Sequence, residues 1–329
     1  MSPDPAPTAQ PARRGGQGDL GFRVSTGAFA LLVLVIVAAI GVVLTAESWL
    51  SIRRFGMGFW ATTTWDPVAG DFGALPFIWG TLYSSILALL IATPVALGIA
   101  VFIAELCPAG LRTPLVFLTE LLAAIPSIVY GLWGIFVLVP LVRQLEIWTP
   151  EFLKQVPLFT GPPLGVGMLA AGLILAIMIT PFTSSVAREV LKAVPVEQRE
   201  AAYALGATRF EAIQAALYYA RTGILGAVML GFGRALGETM AVTMVIGNSA
   251  QISMSLYAPQ YSMAAVIANE FTEADTALYL DALVEIGLVL FAITLLVNIL
   301  SRALIWSMTR SFKKAAVPAL PPAAPEPAA

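Results

Sequence analysis

The stretch from Val24 to Ala46 reads VSTGAFALLVLVIVAAIGVVLTA and contains no charged side chain. A helix that crosses a bilayer needs about 20 consecutive apolar residues, so this stretch predicts a transmembrane helix. It is longer than the apolar core of a cleavable signal, which spans about 7–15 residues, and no small-residue cleavage site follows it. We therefore expect this first span to be retained.

The composition extends this prediction to the whole chain. Of the 329 residues, 58% are hydrophobic and 12% are charged, whereas a soluble domain carries about 25% charged residues. The net charge of −2 and the lack of a basic tract argue against nucleic-acid binding. Because histidine is absent and Cys107 is the only cysteine, we expect no intrachain disulfide, no metal site of the Cys/His type, no histidine-based catalysis and no bound cofactor.

Five further apolar segments are long enough to cross a membrane, which gives six spans in all. The predicted segments after the first are Leu82–Ile103, Leu121–Val142, Leu164–Pro181, Gly223–Gly247 and Leu283–Trp306. Pro94, Pro126 and Pro140 lie within the second and third spans, where neighbouring helices can satisfy the carbonyls that a proline leaves without a donor. The pattern is typical of an all-α transmembrane protein.

Two tails flank the predicted spans. Residues 1–18 are rich in Pro, Ala, Gly and Gln, and residues 315–329 are almost entirely Ala and Pro. Such segments bury too little apolar surface to fold, so we expect both to be disordered. The predicted transmembrane domain therefore occupies residues 19–314.

The basic residues are distributed unevenly between the two sides of the predicted membrane. With the N-terminus inside, the inner segments carry 13 of the 18 Lys and Arg residues, whereas the outer loops carry four. Positive residues concentrate on the cytoplasmic side of membrane proteins. We therefore expect both termini to face the cytoplasm.

The most informative polar stretch is the inner loop between the fourth and fifth spans. Pro195 suits the first turn of a helix, which we expect over Val196–Leu205, and Gly206 is a natural helix stop. Thr208 and Glu211 have the spacing of a capping box, which starts a second helix. The sequence therefore predicts two helices joined by a glycine turn on the cytoplasmic side.

This loop, residues 188–221, resembles the docking loop of ABC importer permeases. The shared pattern is Glu200-Ala201-Ala202 followed by Gly206. The resemblance implies that these residues fit into a groove on an ATP-hydrolysing subunit. The chain departs from the family pattern where Ile-x-Leu-Pro is expected, since it has Ala216-Leu217-Tyr218-Tyr219 there. We assign no role to those four residues.

The fifth span contains two charged residues, Arg234 and Glu238. Their spacing of four predicts that they share one helix face, and Gly233 and Gly237 would let another helix approach closely. An arginine at the bilayer centre costs roughly 2.5–3.5 kcal/mol on insertion scales, so Arg234 should face a partner or a cavity. Two interpretations remain open: an intramembrane salt bridge, or a path for an oxyanion such as phosphate, which the guanidinium fork suits.

In the second interpretation Glu238 would act in one of two ways. It would restrain Arg234 between transport events, or it would accept a hydrogen bond from a protonated phosphate, which sulfate cannot donate. Weaker candidates for lining the path are Ser127, Tyr130 and Thr239. Buried hydroxyls in spans also commonly bond to neighbouring helices.

Three stretches of the chain resemble the PstC family of phosphate importer permeases. The first is Gly231–Thr243, which reads GFGRALGETMAVT; the others are residues 124–134, AIPSIVYGLWG, and the outer-loop segments 257–259 and 264–270. The likeness covers nearly all of residues 20–310. It implies a six-span type I (MetI-like) ABC importer permease fold in the bacterial inner membrane, forming half of a phosphate translocation path.

The same resemblance implies several partners. These are a second permease subunit (PstA-like), a dimer of ATP-binding cassette ATPases (PstB-like), an extracytoplasmic phosphate-binding protein (PstS-like) and phosphate itself. No Gly-x-x-x-x-Gly-Lys-Ser/Thr loop occurs in the chain, so we do not expect the chain to hydrolyse ATP. Three alternatives stay open: a permease for molybdate or sulfate, an intramembrane enzyme, and an ion channel or membrane scaffold.

Overall fold

The computed structural model describes the backbone of residues 17–315 and the side chains of residues 20–308. Thirteen α-helices follow one another in this part of the chain: α1 Gln17–Glu47, α2 Trp49–Phe55, α3 Leu75–Val101, α4 Ala109–Ala124, α5 Ser127–Trp133, α6 Val139–Trp148, α7 Glu151–Lys154, α8 Met168–Lys192, α9 Val196–Ala204, α10 Arg209–Leu236, α11 Met240–Val245, α12 Met263–Glu270 and α13 Ala277–Ala315. A π-helical turn, Phe102–Leu106, extends α3, and a second, Gly134–Leu138, joins α5 to α6.

Six helical stretches of this region are long and apolar enough to cross a membrane. They are Leu20–Glu47, Leu75–Leu106, Ser127–Trp148, Met168–Lys192, Arg209–Leu236 and Ala277–Met308. The prediction of an all-α protein with six spans is therefore confirmed. The predicted disordered tails, 1–18 and 315–329, lie outside the described residues except for Gln17, Gly18 and Ala315, which are helical.

The third span begins at Ser127, and the prediction that it starts at Leu121 and continues through Pro126 was wrong. Ile125 and Pro126 have ψ angles of 130° and 139°, so α4 ends before them and α5 starts after them. A proline disfavours helical geometry in the residue before it. Pro126 thus separates two helices and does not kink one.

The fourth span also differs from its prediction, because it covers Met168–Lys192 and not Leu164–Pro181. The chain enters it through Gly165, whose φ of +79° favours glycine and whose Cβ position lies 2.4 Å from the carbonyl oxygen of Val139. At its other end the helix continues past Pro181 and includes Arg188, which the charge pattern had assigned to a loop. The buried guanidinium of Arg188 is paired with Glu120 at 3.2 Å.

The fifth span is one continuous helix with the second helix of the inner loop. Thr208 and Glu211 form the predicted capping box, and α10 runs from there to Leu236 without interruption. A proline inside a helix removes a hydrogen bond and clashes with the preceding turn. Since Tyr219 stands where the related pattern has proline, nothing in the sequence stops this helix at that point.

Helix α8 lies at the centre of the bundle and packs most extensively against α3 and α10. At Gly172 of α8 a Cβ would lie 2.4 Å from Cδ2 of Leu87 in α3. At Gly223 of α10 a Cβ would lie 2.5 Å from Cγ1 of Val190 in α8. Such close approaches are typical of membrane helix interfaces, where dispersion contacts replace the hydrophobic effect.

An aromatic cluster closes the end of the bundle at which α3 and α13 begin. Phe72 stacks on Tyr279 at a centroid distance of 5.3 Å, and Trp65 lies edge-on to Phe72 at 4.8 Å. Glu270 accepts hydrogen bonds from Nε1 of Trp65 and from the hydroxyl of Tyr279, at 2.8 and 2.6 Å. Burial raises the pKa of nearby Tyr261 to about 12, so its phenol stays protonated. The cluster ties the long loop before α3 to the helices α12 and α13.

Candidate functional site

Arg234 lies in the last turn of α10, within an apolar helix, and its side chain is exposed on the surface of this chain. Among the described side chains, no carboxylate is within ion-pair distance of it. Its guanidinium carbon lies 5.6 Å from the ring centre of Phe182 in α8, a cation–π contact. The structure therefore leaves most of the arginine's hydrogen-bonding capacity unused.

Arg234 and Glu238 do not share a helix face, so that prediction was wrong. Helix α10 ends at Leu236, and Gly237 has φ −93° and ψ 4°. Glycine is a poor helix former, which favours the end of α10 at this point. The carboxylate of the next residue, Glu238, lies just before the start of α11. Oε1 of Glu238 accepts a hydrogen bond from the backbone N–H of Ala241 at 3.4 Å, close to the N-terminus of α11.

The interpretation as a salt bridge finds no support within the described residues, because no ion pair joins Arg234 to Glu238. Glu238 is half-buried and Arg234 is exposed. The first proposed role of Glu238, restraint of Arg234, therefore has no contact to carry it in this conformation. The second proposed role of Glu238, recognition of a protonated anion, does not require a contact between Glu238 and Arg234.

Two broken helices meet beside Arg234. Helix α11 packs on α5, and a Cβ on Gly131 of α5 would lie 3.1 Å from Cα of Ala241 and 2.6 Å from Sδ of Met244. Tyr130 lies in α5, next to Gly131. Discontinuous helices recur at substrate sites of membrane transporters, because interrupted helices expose backbone groups to a cavity.

The weaker candidates take different places in this arrangement. The hydroxyl of buried Tyr130 donates to the carbonyl of Leu122 at 2.8 Å, across the break at Pro126. Ser127 is half-exposed at the start of α5. Thr239 is half-buried between α10 and α11, and its carbonyl accepts from the hydroxyl of Thr243 at 2.7 Å. Tyr130 thus makes the interhelical bond, whereas Ser127 retains access to the surface.

The face of α10 that carries Arg234 is uncovered by the described part of the chain. No atom lies within 4 Å of a Cβ built on Gly233, and a Cβ on Gly237 would meet only the carbonyl oxygen of Gly233 at 4.0 Å. The expected close approach of another helix to these glycines is therefore not made by any described residue of this chain. Leu230, one turn earlier, is 56% exposed on the same helix.

The inner loop has the predicted form of two helices joined by a glycine turn. Gly206 has φ +82°, a left-handed conformation that glycine adopts without strain. Oγ1 of Thr208 accepts from the backbone N–H of Glu211 at 3.4 Å, and Oε2 of Glu211 accepts from the backbone N–H of Thr208 at 2.7 Å. The structure confirms the local geometry of this loop.

The loop presents an exposed surface with both charged and apolar residues. Glu200 and Ala201 are exposed and Ala202 is half-buried. Leu205 and Phe210 are 90% and 75% exposed. Leu205 lies outside the candidate spans, where so accessible an apolar side chain is available to bind another protein, whereas Phe210 lies in the first turn of the fifth span.

Two charged residues in this region were missed by sequence reasoning. Glu105, in the π-turn after α3, forms an ion pair with Arg199 of α9 at 2.6 Å. The two lie 94 positions apart, so no spacing rule could have joined them. The one signal in the sequence is Glu105, an isolated acid that follows a long uncharged stretch, whereas Arg199 stands among other polar residues and carries no such signal.

Comparison with known proteins agrees with this architecture. The sequence model of the family described as "Binding-protein-dependent transport system inner membrane component" matches residues 96–310. The chain is 49% identical over 296 residues to the phosphate transport system permease protein PstC of Haemophilus influenzae, covering 88% of this chain and 94% of that protein.

Further relatives extend the similarity beyond one group of bacteria. Identity is 47% to the PstC protein of Mesorhizobium japonicum, with 88% of this chain and 90% of that protein covered. It is 40% over 257 residues to a probable PstC of Methanocaldococcus jannaschii, with 76% and 82% covered. The chain therefore belongs to the family of inner-membrane components of binding-protein-dependent transport systems, as a multi-pass ABC importer permease subunit of the PstC family.

Proposed function

We propose that this permease subunit forms half of the path of an ATP-driven importer of inorganic phosphate. The observation that carries the proposal is Arg234, a charge in an apolar helix that has no carboxylate partner among the described residues. A charge in that position is costly against lipid, so a second protein surface or an anion path is its natural environment. Relatives that are 49% and 47% identical are named phosphate transport system permease proteins, which supports phosphate as the anion.

The guanidinium supplies the chemistry that such a path requires. It presents a planar fork of donors that matches phosphate oxygens. Its field is only weakly screened where water is scarce. In this proposal Ser127 and Thr239 add hydroxyl groups to the path, and Tyr130 shapes the path through its bond to Leu122.

Glu238 would distinguish phosphate from sulfate in this proposal. Hydrogen phosphate carries an O–H donor at neutral pH, whereas sulfate has none. A half-buried carboxylate accepts a hydrogen bond from the first anion and repels the second. A path for molybdate or sulfate is the alternative, and competition by those anions tests it.

The uncovered face around Arg234 would be completed by a second permease subunit, PstA-like. The exposed loop with Glu200, Ala201, Ala202 and Gly206 would dock on an ATPase dimer, PstB-like, which hydrolyses the ATP. A groove of about 540 Å³ beside this loop, between α9 and α10, offers space for part of that partner. The aromatic end of the bundle would then face outward and receive a phosphate-binding protein, PstS-like.

This arrangement fixes an orientation in the bacterial inner membrane. Both termini would face the cytoplasm, as the excess of basic residues on that side favours. The docking loop then lies where ATP is available. Labelling an introduced cysteine at Leu205 from either side of sealed vesicles would test the orientation, with Val68, which is 99% exposed, as the matched outer position.

The function is tested by phosphate uptake into vesicles that contain the whole complex. We expect Arg234→Gln to abolish most uptake while the complex still assembles, and Arg53→Gln, which removes an exposed arginine near the other end, to leave uptake unchanged. Glu200→Ala should weaken ATPase docking. Normal uptake by the Arg234→Gln complex would refute the anion path, and stronger competition by molybdate or sulfate than by phosphate would favour the alternative cargo.

A further inference from the structure

The end of α3 nearest the docking loop contains a charge cluster that the proposed function does not use. Oε1 of Glu105 accepts hydrogen bonds from Nη2 and Nε of Arg199, at 2.6 and 3.2 Å. The side chains of Arg199 and Glu105 are 22% and 13% exposed. Hydrogen bonds between two charged groups are about twice as strong as neutral ones, and partial burial limits their screening by salt.

The same guanidinium also binds the end of α8. Nη1 of Arg199 donates to the carbonyl of Val194 at 2.9 Å, and Nη2 donates to the carbonyl of Leu191 at 3.0 Å. Leu191 and Val194 are both buried, in an apolar cluster that also contains Ala100 of α3. One side chain of the docking helix α9 therefore connects α3, α8 and α9.

A second arginine links the C-terminal end of the docking loop to the π-turn that contains Glu105. Nη2 of Arg209, the first residue of α10, donates to the backbone carbonyl of Glu105 at 2.8 Å. Arg112 of α4 contributes a further bond to the carbonyl of Ala104 at 3.2 Å. The π-turn Phe102–Leu106 thus receives donors from both flanks of the docking loop. Such turns leave carbonyls less tightly bound than an α-helix does, and they are frequent at functional sites.

These contacts are important because one of their residues is adjacent in sequence to a proposed docking residue. Arg199 directly precedes Glu200, the residue expected to contact the ATPase. A pull on α9 therefore reaches α3 and α8 through Arg199, in addition to α10 through the covalent chain. Since α3 and α8 form the most extensive helix pair of the bundle, a force delivered to both moves the core as one body.

We propose that Glu105 and Arg199 are a transmission pair, two positioning residues that convert movement of the docking loop into movement of α3 and α8. The proposal rests on the proposed function and adds a mechanical role to it. Neither residue touches the anion. Loss of the pair separates ATP hydrolysis from transport and leaves the docking surface itself intact.

The test uses the complete complex in vesicles and measures phosphate transported per ATP hydrolysed. For Arg199→Gln we expect hydrolysis to persist and this ratio to fall about five- to ten-fold, the order expected when charge-assisted contacts are removed from one conformational state. Glu105→Gln keeps an acceptor for Arg199 and should give a smaller loss. The control is Lys192→Gln, which removes an exposed ion pair with Glu189 at the same end of α8.

The double variant Glu105→Gln/Arg199→Gln completes a cycle that separates a pair from two independent residues. If the residues act together, the double variant loses no more than Arg199→Gln alone. If wild-type vesicles fail to accumulate phosphate, the proposed function fails and not the pair. If wild type transports and both single variants keep the wild-type ratio, the transmission role is overturned. Failure of both variants to assemble would also overturn it, in favour of a purely structural contact.

Discussion

Arg234 and Arg199 are two arginines of one chain in opposite surroundings. Arg199 is mostly buried, and its donors go to Glu105 and to two backbone carbonyls at the end of α8. Arg234 is exposed on an apolar helix. Among the described residues, its guanidinium makes a cation–π contact with the ring of Phe182 and no ion pair. The first arginine is satisfied by its own chain, whereas the second is not.

The difference distinguishes an arginine that holds helices of this chain together from an arginine that is available to bind a ligand. A guanidinium with four of its five donors used, as in Arg199, holds elements together and has little left for a ligand. A guanidinium with unused donors in an apolar helix costs free energy until something outside the chain contacts it. The comparison therefore supports the two proposed roles, transmission of movement for Arg199 and anion binding for Arg234.

The largest effect is expected from the loss of the guanidinium at position 234. Arg234→Gln should reduce phosphate uptake about 100-fold, the order seen when a charge-stabilising donor is removed from a water-poor site. Arg234→Lys keeps the charge but loses the two-pronged geometry, so uptake should recover to within about ten-fold of wild type. Initial rates in reconstituted vesicles measure both, and equal rates for the two variants would mean that geometry plays no part.

The second effect concerns stability in the isolated subunit. Arg199→Gln should lower the free energy of unfolding by about 1–3 kcal/mol, because it leaves Glu105 without its charged donor. Arg234→Gln should leave stability unchanged or raise it slightly, since no described ion pair is lost. Thermal unfolding in detergent compares them, and equal destabilisation by both would remove the distinction between the two arginines.

A smaller change is expected at Glu238. Glu238→Gln keeps the capacity to accept a hydrogen bond from Ala241 but removes the negative charge that repels a fully ionised anion. Discrimination between phosphate and sulfate should therefore fall by about three- to ten-fold, which corresponds to one weakened hydrogen bond. Competition by sulfate during phosphate uptake measures it. Unchanged selectivity would exclude Glu238 from recognition.

The smallest effect is expected at the exposed ion pair between Lys154 and Glu151, at 3.0 Å. Lys154→Ala should change stability by less than about 0.5 kcal/mol, because exposed pairs gain little over solvation by water. Uptake should stay at the wild-type level. A marked loss of transport would show that the outer loop has a role which neither arginine explains.

Much of the fold followed from hydrophobicity, since the six spans and the helix–turn–helix loop with Thr208 and Glu211 were predicted correctly. The boundaries of the spans were predicted less accurately. Pro126 separates two helices because its ring restricts Ile125, and the span containing Arg188 extends further because Glu120 pairs with that charge. Both depend on tertiary contacts that a count of apolar residues does not include.

The site residues named from the sequence stay a prediction, and part of their predicted geometry was wrong. Arg234 stood out because a charge in an apolar run is conspicuous. The spacing of Arg234 and Glu238 suggested one helix face, but Gly237 follows the end of α10, and Glu238 lies before α11, where its carboxylate accepts from the N–H of Ala241. Glu105 and Arg199 could not be paired from sequence, since their contact exists only after α3 and α9 have folded together.

The continuous helix α10 has a consequence for how far a small motion can reach. It runs from Arg209, at the end of the proposed docking loop, to Arg234, the proposed anion-binding residue, and at 1.5 Å per residue these two ends are about 38 Å apart. A rigid helix of this length converts a small tilt at one end into a larger displacement at the other. A tilt of about 5° at the loop would displace the guanidinium by roughly 3 Å, about the length of one hydrogen bond. In the proposed function, a slight tilt of the docking end is thus enough to make or break the contact between Arg234 and the anion.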